Sequence, residues 1–236
     1  MARPSTIAID GPAAAGKSTV GGFLARRLGY LYLDTGAMYR AVTWAALKRG
    51  VDIDDEEAIT ELAREVSITI TRPTVDDGRQ YSVFADEEDV TWEIRSPEVD
   101  RHVSPVSAYP GVRGVLTQQQ RRIAEQGQVV MIGRDIGTVV MPDADVKIYL
   151  DASAEERARR RHLELLERQN KADYGEILRA MKRRDRIDSR RATAPLVRAD
   201  DAILVDTDNL SIDKVLERVE RIVQEAGCRA TKEISA

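Results

Sequence analysis

Eight residues near the N-terminus, Gly11-Pro12-Ala13-Ala14-Ala15-Gly16-Lys17-Ser18, restrict the chain more than any other feature. They satisfy the pattern G-x-x-x-x-G-K-[ST] at every required position. Background residue frequencies produce such a match in about 1% of chains of this length, so coincidence is a poor account of it. The setting narrows it further. Ser5 to Asp10 reads as a short buried strand, and Lys17 to Leu28 has helical spacing that stops at Gly29. A strand, a glycine loop and a helix in that order turn successive backbone N–H groups and a helix N-terminus toward a phosphate. Lys17 then bridges the β- and γ-phosphates of a nucleoside triphosphate, and the Ser18 hydroxyl ligates the accompanying Mg²⁺. The nucleotide-binding stretch is Gly11 through Thr19, with Pro12, Ala13, Ala14, Ala15 and Gly16 between its ends.

Composition excludes several other classes. At 236 residues and 42% hydrophobic content the chain supports one sizeable core, so a single domain over 1–236 is expected. A lone cysteine, Cys228, rules out an intrachain disulfide and a Cys-based zinc site, and two histidines, His102 and His162, make a His-rich metal centre a poor fit. No run approaches 18 apolar residues and the N-terminus lacks a signal-peptide pattern. A cytoplasmic monomer without membrane or nucleic-acid-polymer partners is expected. The net charge of −4 is unevenly spread: residues 52–100 carry 16 acidic and 4 basic side chains, whereas 157–191 carry 13 basic and 6 acidic. Charge runs are usually solvated faces, and the basic one matters only if an anion must sit beside it.

The hydrophobic pattern gives five apolar strand candidates separated by helices: Ser5–Asp10, Tyr30–Leu33, Val129–Ile132, Val146–Leu150 and Ile203–Val205. That alternation indicates an α/β protein with a five-stranded parallel sheet and helices on both faces, to which the loop motif adds a P-loop at the end of the first strand. Helices are expected at about Ala37–Arg49, from Asp54 or Asp55 to Val66, after Ser96-Pro97, and from Pro110 to Gly127. Between Val66 and Val90 alternating segments flank a turn-rich stretch, which predicts a small antiparallel β insert at 66–95. Ser153-Ala154-Glu155-Glu156 and Asp173 with Glu176 are capping boxes, and a helix from Ser211 should close at Gly227. The last eight residues, 229–236, are expected to fray.

Asn170-Lys171-Ala172-Asp173 matches the guanine-reading pattern N-K-x-D, but it follows an Arg- and Glu-rich helix rather than a buried strand, and the chain contains no D-x-x-G. A GTPase switch is therefore a poor reading. The arginines point elsewhere. Arg40 follows the turn Asp34-Thr35-Gly36, where a cation can screen an acceptor dianion. Gly133-Arg134-Asp135-Ile136-Gly137 lies just beyond a strand end, where ligands of parallel sheets gather. A further series comprises Arg157, Arg159, Arg160 and Arg161, then Arg184, Arg186, Asp188, Arg190 and Arg191.

Taken together, these elements resemble the bacterial-type cytidylate kinases, nucleoside monophosphate kinases that move the γ-phosphoryl of ATP to CMP or dCMP. The matching segments are IDGPAAAGKS, LDTGAMYR, GRDIGTVV, VKIYLDAS and RDRIDSRR, in family order from residue 7 to 191. Ala194-Pro195-Leu196 and the β insert also fit. The resemblance implies that Asp135, Arg113 and Ser104 read cytosine, that Arg40, Arg134 and Arg191 hold the acceptor phosphate, and that Arg184 and Asp188 contact its sugar. Thr35 stands at a substrate-binding position where relatives also carry Ser. A helical lid over 153–175 is implied, with Arg157 and Arg161 on one face, so the catalytic set becomes Lys17, Arg40, Arg134, Arg157, Arg161 and Arg191. Two other readings stay open: a P-loop kinase for UMP or another small acceptor, and a nonenzymatic, switch-type nucleotide binder. Asp34 and Asp135 are both candidates for a further magnesium carboxylate.

Overall fold

The computed structural model describes residues 3–167 and 172–233. In chain order, β1 (Thr6–Asp10), α1 (Lys17–Leu28), β2 (Leu31–Asp34), α2 (Thr35–Arg49) and α3 (Glu56–Glu65) come first. The strands β3 (Ile68–Thr71), β4 (Ser82–Ala85) and β5 (Glu88–Asp89) follow, then α4 (Pro97–Val106) and α5 (Pro110–Ala124). The second half runs β6 (Val129–Gly133), β7 (Val146–Asp151), α6 (Ala154–Glu167), α7 (Tyr174–Arg190), β8 (Ile203–Asp206) and α8 (Ile212–Glu233).

Five strands form one sheet in the order β2-β6-β1-β7-β8, with every pairing parallel. Strand alternation sorts the side chains to two faces. Ile7, Ile9, Val130 and Ile132 join Val20 and Leu24 of α1 and Val215, Val219 and Val223 of α8 in the larger core. Ala8, Leu33 and Met131 point the other way, against Ile123 of α5 and Ile136, Val140 and Met141. Each fully buried aliphatic side chain stabilises by about 1.5–3 kcal/mol, which holds helices on both faces of the sheet. The second sheet is antiparallel, in the order β3-β4-β5, and is the β insert expected between residues 66 and 95.

Local signals place most helix ends. Asp55 caps α3, Ser96 caps α4 with Pro97 at its first position, and Asp173 caps α7 by accepting from Glu176 N at 2.7 Å. Several boundaries differ from the pattern. Helix α2 starts at Thr35, because the Asp34 carboxylate accepts from Gly36 N and caps it directly at the strand end. Helix α5 stops at Ala124, and Gly127 takes its left-handed φ of +68° in the following turn. Helix α8 continues beyond Gly227 to Glu233, with Ala226 still packed on the core. Residues 168–171 of the expected lid, which include Asn170 and Lys171, and the last three residues of the chain lie outside the described residues. The pattern also missed a single π turn, Ile136–Val140, immediately beyond β6. No helix among the described residues is long and apolar enough to cross a membrane.

Helix α1 approaches the sheet closely at Gly21, where a Cβ would stand 2.7 Å from Ile132 Cγ2 and 2.9 Å from Tyr32 Cε2. For Gly21→Ala, overpacking of about 1–3 kcal/mol should outweigh the ~1 kcal/mol gain in helix propensity. Urea unfolding of this variant should show a net loss of stability.

Candidate active site

The site lies at the carboxyl end of the parallel sheet, where β1 and β6 hand over to their loops. Beyond β1, Gly11 has φ +145°, and a Cβ there would fall 2.0 Å from the Leu150 carbonyl oxygen of β7. Only glycine lets the loop leave the sheet so close to that backbone. Ala14 at φ +61° and Gly16 at φ +94° then curl the loop back, and Gly16 caps α1. Lys17 is buried in the curl, its Nζ donating to the carbonyls of Gly11 and Pro12, each at 2.7 Å. Burial first, then the Arg134 guanidinium, pushes the Lys17 ammonium well below its ordinary value. An anion seated in the loop would relieve both effects. Ser18 and Thr19 are exposed at the head of α1.

Beyond β6, Arg134 turns toward this loop. Its Nε donates to Asp188 Oδ2 at 2.9 Å and its NH1 to the Gly11 carbonyl at 3.2 Å. Arg184, on α7, stands with Nε 4.0 Å from the same Asp188 oxygen, and that buried Nε has no hydrogen-bond partner among the described residues. Burial and then Arg134 bring Arg184 down to about 10, whereas Arg134 and its neighbours hold the Asp188 carboxyl below its ordinary value against burial. Arg40 on α2 reaches the Ile94 carbonyl at 3.0 Å and Asp100 of α4 at 2.5 Å.

The next corner is built on Asp135. Its Oδ2 accepts from Arg113 NH2 at 2.5 Å and its Oδ1 from Arg191 NH2 at 3.2 Å, all three side chains being more than nine-tenths buried. Arg113 comes from α5, lies 5.3 Å from the Tyr39 ring centre and leaves its Nε unpaired; Arg191 ends α7 and is anchored to the Ala194 carbonyl at 2.6 Å. Ser104 is half-buried on α4, where its carbonyl accepts from Ser107 Oγ. The Thr35 hydroxyl instead ties α2 to the sheet by donating to the Ile132 carbonyl at 2.9 Å.

The lid arginines divide. Arg157 is buried: Nε donates to the Ala152 carbonyl at 2.9 Å, NH1 to the Ala13 carbonyl at 3.2 Å, and NH1 and NH2 grip Asp185 of α7 at 3.1 and 2.6 Å. It clamps the donor loop to α7. Arg161 pairs with Glu164 on its own helix at 2.8 Å, and Arg160 reaches Glu156 and Thr207. His162 Nε2 donates to the Ala172 carbonyl at 3.1 Å, and its ring meets Tyr174 edge-on.

Two residues at the site were not singled out from sequence. Asp185, inside the quoted arginine series, is the partner of Arg157. Asp10 ends β1 fully enclosed, its oxygens accepting from Ile136 N at 2.8 Å and Gly137 N at 2.7 Å. A carboxylate closing an otherwise apolar strand was its one visible signal. Burial raises Asp10 to about 6; the two amides and Lys17 oppose that rise, and Asp135 adds to it.

The family model described as cytidylate kinase matches residues 7–225 of the chain. A cytidylate kinase from Chloroflexus aggregans is 54% identical over 211 residues, covering 89% of this chain and 90% of that protein. Cytidylate kinases from Roseiflexus castenholzii and Bacillus licheniformis are 52% and 48% identical; they cover 93% and 94% of this chain, and 93% and 97% of their own lengths are matched.

The Asp10 shift has a thermodynamic consequence. Its folded pKa of about 6 lies above the ordinary 3.8, so the stability it contributes is fully present below pH 3.8 and is lost as pH rises through about 6. Denaturant unfolding from pH 4 to 7 should show wild type losing ground to Asp10→Asn over that window, by up to about 3 kcal/mol. A pH-independent difference would contradict the raised value.

Proposed function

The chain belongs to the cytidylate kinase family, and on that premise we propose how its own residues divide the work. It transfers the γ-phosphoryl of ATP to CMP or dCMP, giving ADP and CDP or dCDP. The observation that carries the reading is the Asp135 carboxylate, gripped by Arg113 and Arg191 and directly preceded in the chain by an arginine that touches the donor loop.

On the donor side, the loop from Gly11 to Thr19 wraps the triphosphate with backbone N–H groups, and Lys17 exchanges the Gly11 and Pro12 carbonyls for phosphate oxygens. Ser18 and Asp34 supply a hydroxyl and a carboxylate at the heads of α1 and α2, with Asp34 close enough to act on the Lys17 ammonium. These hard oxygen donors fit Mg²⁺, which takes few protein ligands when phosphates and water complete its shell. When bound, the ion would neutralise charge on the β- and γ-phosphates.

On the acceptor side, Arg40, Arg134 and Arg191 hold the monophosphate, and Arg184 with Asp188 face its sugar. The unpaired Nε atoms of Arg184 and Arg113 are donors awaiting acceptors. Cytosine offers an amine donor flanked by acceptor N3 and O2. Asp135 accepts from the amine, while Arg113 and Ser104 donate to the ring acceptors. Uracil turns a carbonyl toward the same carboxylate, which leaves buried polar groups mismatched and repelling. Phosphoryl transfer depends on alignment and charge neutralisation rather than on a strong base, so the arginines and Lys17 carry the catalysis. Arg157 contributes by pinning the donor loop, and Arg161, half-exposed on α6, reaches the transferring group when the lid closes and excludes water.

ADP formation from ATP with CMP, dCMP, UMP and AMP in parallel tests this reading. CMP and dCMP should support turnover well above UMP and AMP; no CMP-dependent ADP would refute it, and equal rates with UMP would remove the base-reading role from Asp135. Lys17→Ala should lower kcat by about a thousandfold or more. Arg191→Ala should weaken CMP binding by about 2–3 kcal/mol with ATP binding retained, both read by equilibrium titration.

A further inference from the structure

Asp10 is the one buried carboxylate at the site to which the transfer mechanism gives no task, and its surroundings assign it one. It ends β1, directly before Gly11, whose carbonyl accepts from both Lys17 and Arg134. Across the sheet it pairs in register with Gly133, the last residue of β6. Its two oxygens take separate N–H groups, those of Ile136 and Gly137, the first two residues after Asp135. The Asp135 carbonyl in turn accepts from Val139 and Val140 N, closing the π turn. Asp135 therefore sits at φ −145°, ψ 27°, outside the common regions, with the carboxylate of Asp10 holding the chain that follows it.

The Asp135 side chain is gripped from α5 and α7, by Arg113 and Arg191. Those two guanidiniums set where its oxygens lie, but they do not set its backbone. Two converging N–H donors demand two acceptor oxygens. An asparagine would satisfy one and turn its own N–H₂ against the other. A buried charge next to Asp135 is costly, so a carboxylate here stands on its geometry.

We propose that Asp10 is a positioning residue for acceptor selection: through the Ile136 and Gly137 amides it fixes the Asp135 backbone, and so the angle at which that carboxylate meets the edge of the acceptor's base. Because Asp10 is also the root of the donor loop, the same strand end sets the base-reading group and the phosphate loop relative to each other. This inference rests on the assignment of Asp135 as the base reader.

The experiment measures kcat and KM for CMP and for UMP at saturating ATP with wild type, Asp10→Asn and Gly137→Ala, together with ATP dissociation constants and melting curves. Gly137→Ala leaves the carboxylate intact but adds a Cβ 3.1 Å from Lys147 Cδ and 3.4 Å from Asp10 Oδ2, shifting the amide that Asp10 holds. In both variants the CMP-to-UMP ratio of kcat/KM should fall by about tenfold, mainly through a higher KM for CMP, with the ATP dissociation constant within about twofold of wild type. An unchanged ratio, or equal losses for CMP and UMP, would make Asp10 a structural residue only and overturn the proposal. If Asp10→Asn does not fold, Gly137→Ala decides alone. Failure of wild type itself to distinguish CMP from UMP would strike the assignment of Asp135, a separate result from wild-type discrimination that survives in the variants.

Discussion

One carbonyl oxygen, that of Gly11, organises the site. It accepts from the Lys17 ammonium at 2.7 Å and from the Arg134 guanidinium at 3.2 Å, so a cation from the loop and one from beyond β6 meet on the same acceptor. Two like charges this close repel strongly in a partly dry environment, and the carbonyls of the loop, with Asp188, compensate them. In the proposed transfer the γ-phosphoryl group passes between Lys17 and Arg134. In the proposed function, phosphate oxygens would be better partners for both cations than a neutral carbonyl.

The same logic repeats outward from Gly11. Arg40 rests on Asp100, Arg113 and Arg191 on Asp135, Arg134 on Asp188, and Arg157 on Asp185. Each of these arginines has a carboxylate partner, as the cost of burying an unpaired charge requires, whereas the buried Lys17 rests on two loop carbonyls. These pairs let several arginines gather at the sheet end in a chain of net charge −4. The basic segment over 157–191 is in part a solvated face, since Arg159 pairs with Glu156 at the surface. Its buried members, however, bridge elements: Arg157 of α6 is held by Asp185 of α7, and Asp188 of α7 holds Arg134. Asp185 reaches the Gly11–Ser18 loop through Arg157, while Asp188 pairs with Arg134 and Arg191, the residue that caps α7, with Asp135, so one helix and its cap touch both the loop and the Asp135 corner.

Much of this was legible in the residues. The loop motif, the five apolar strands, the β insert and the capping residues depend on neighbours within a turn or a strand, and such local signals survive in a linear sequence. The resemblance pointed to Arg113, Arg134, Asp135, Arg184, Asp188 and Arg191, and the structure pairs Arg113 and Arg191 with Asp135 and Arg134 with Asp188. The π turn after β6 was illegible because nothing in Ile-Gly-Thr-Val-Val demands it. It exists because a carboxylate 126 residues earlier captures its first amide. Arg157 and Arg161 looked equivalent by helical spacing, yet one is buried in the donor-loop wall and the other half-exposed; Asp185, 28 residues downstream, separates them.

By itself, then, the sequence determined that the chain is a P-loop α/β protein, and its motif order determined the family, because both rest on local patterns of residue type and spacing. Tertiary structure alone decided which charges face each other. Parallel strands place β1 between β6 and β7, bringing Asp10 under the Asp135 turn and Arg134 over Gly11. Those partnerships join residues far apart in the chain, and no spacing rule encodes them.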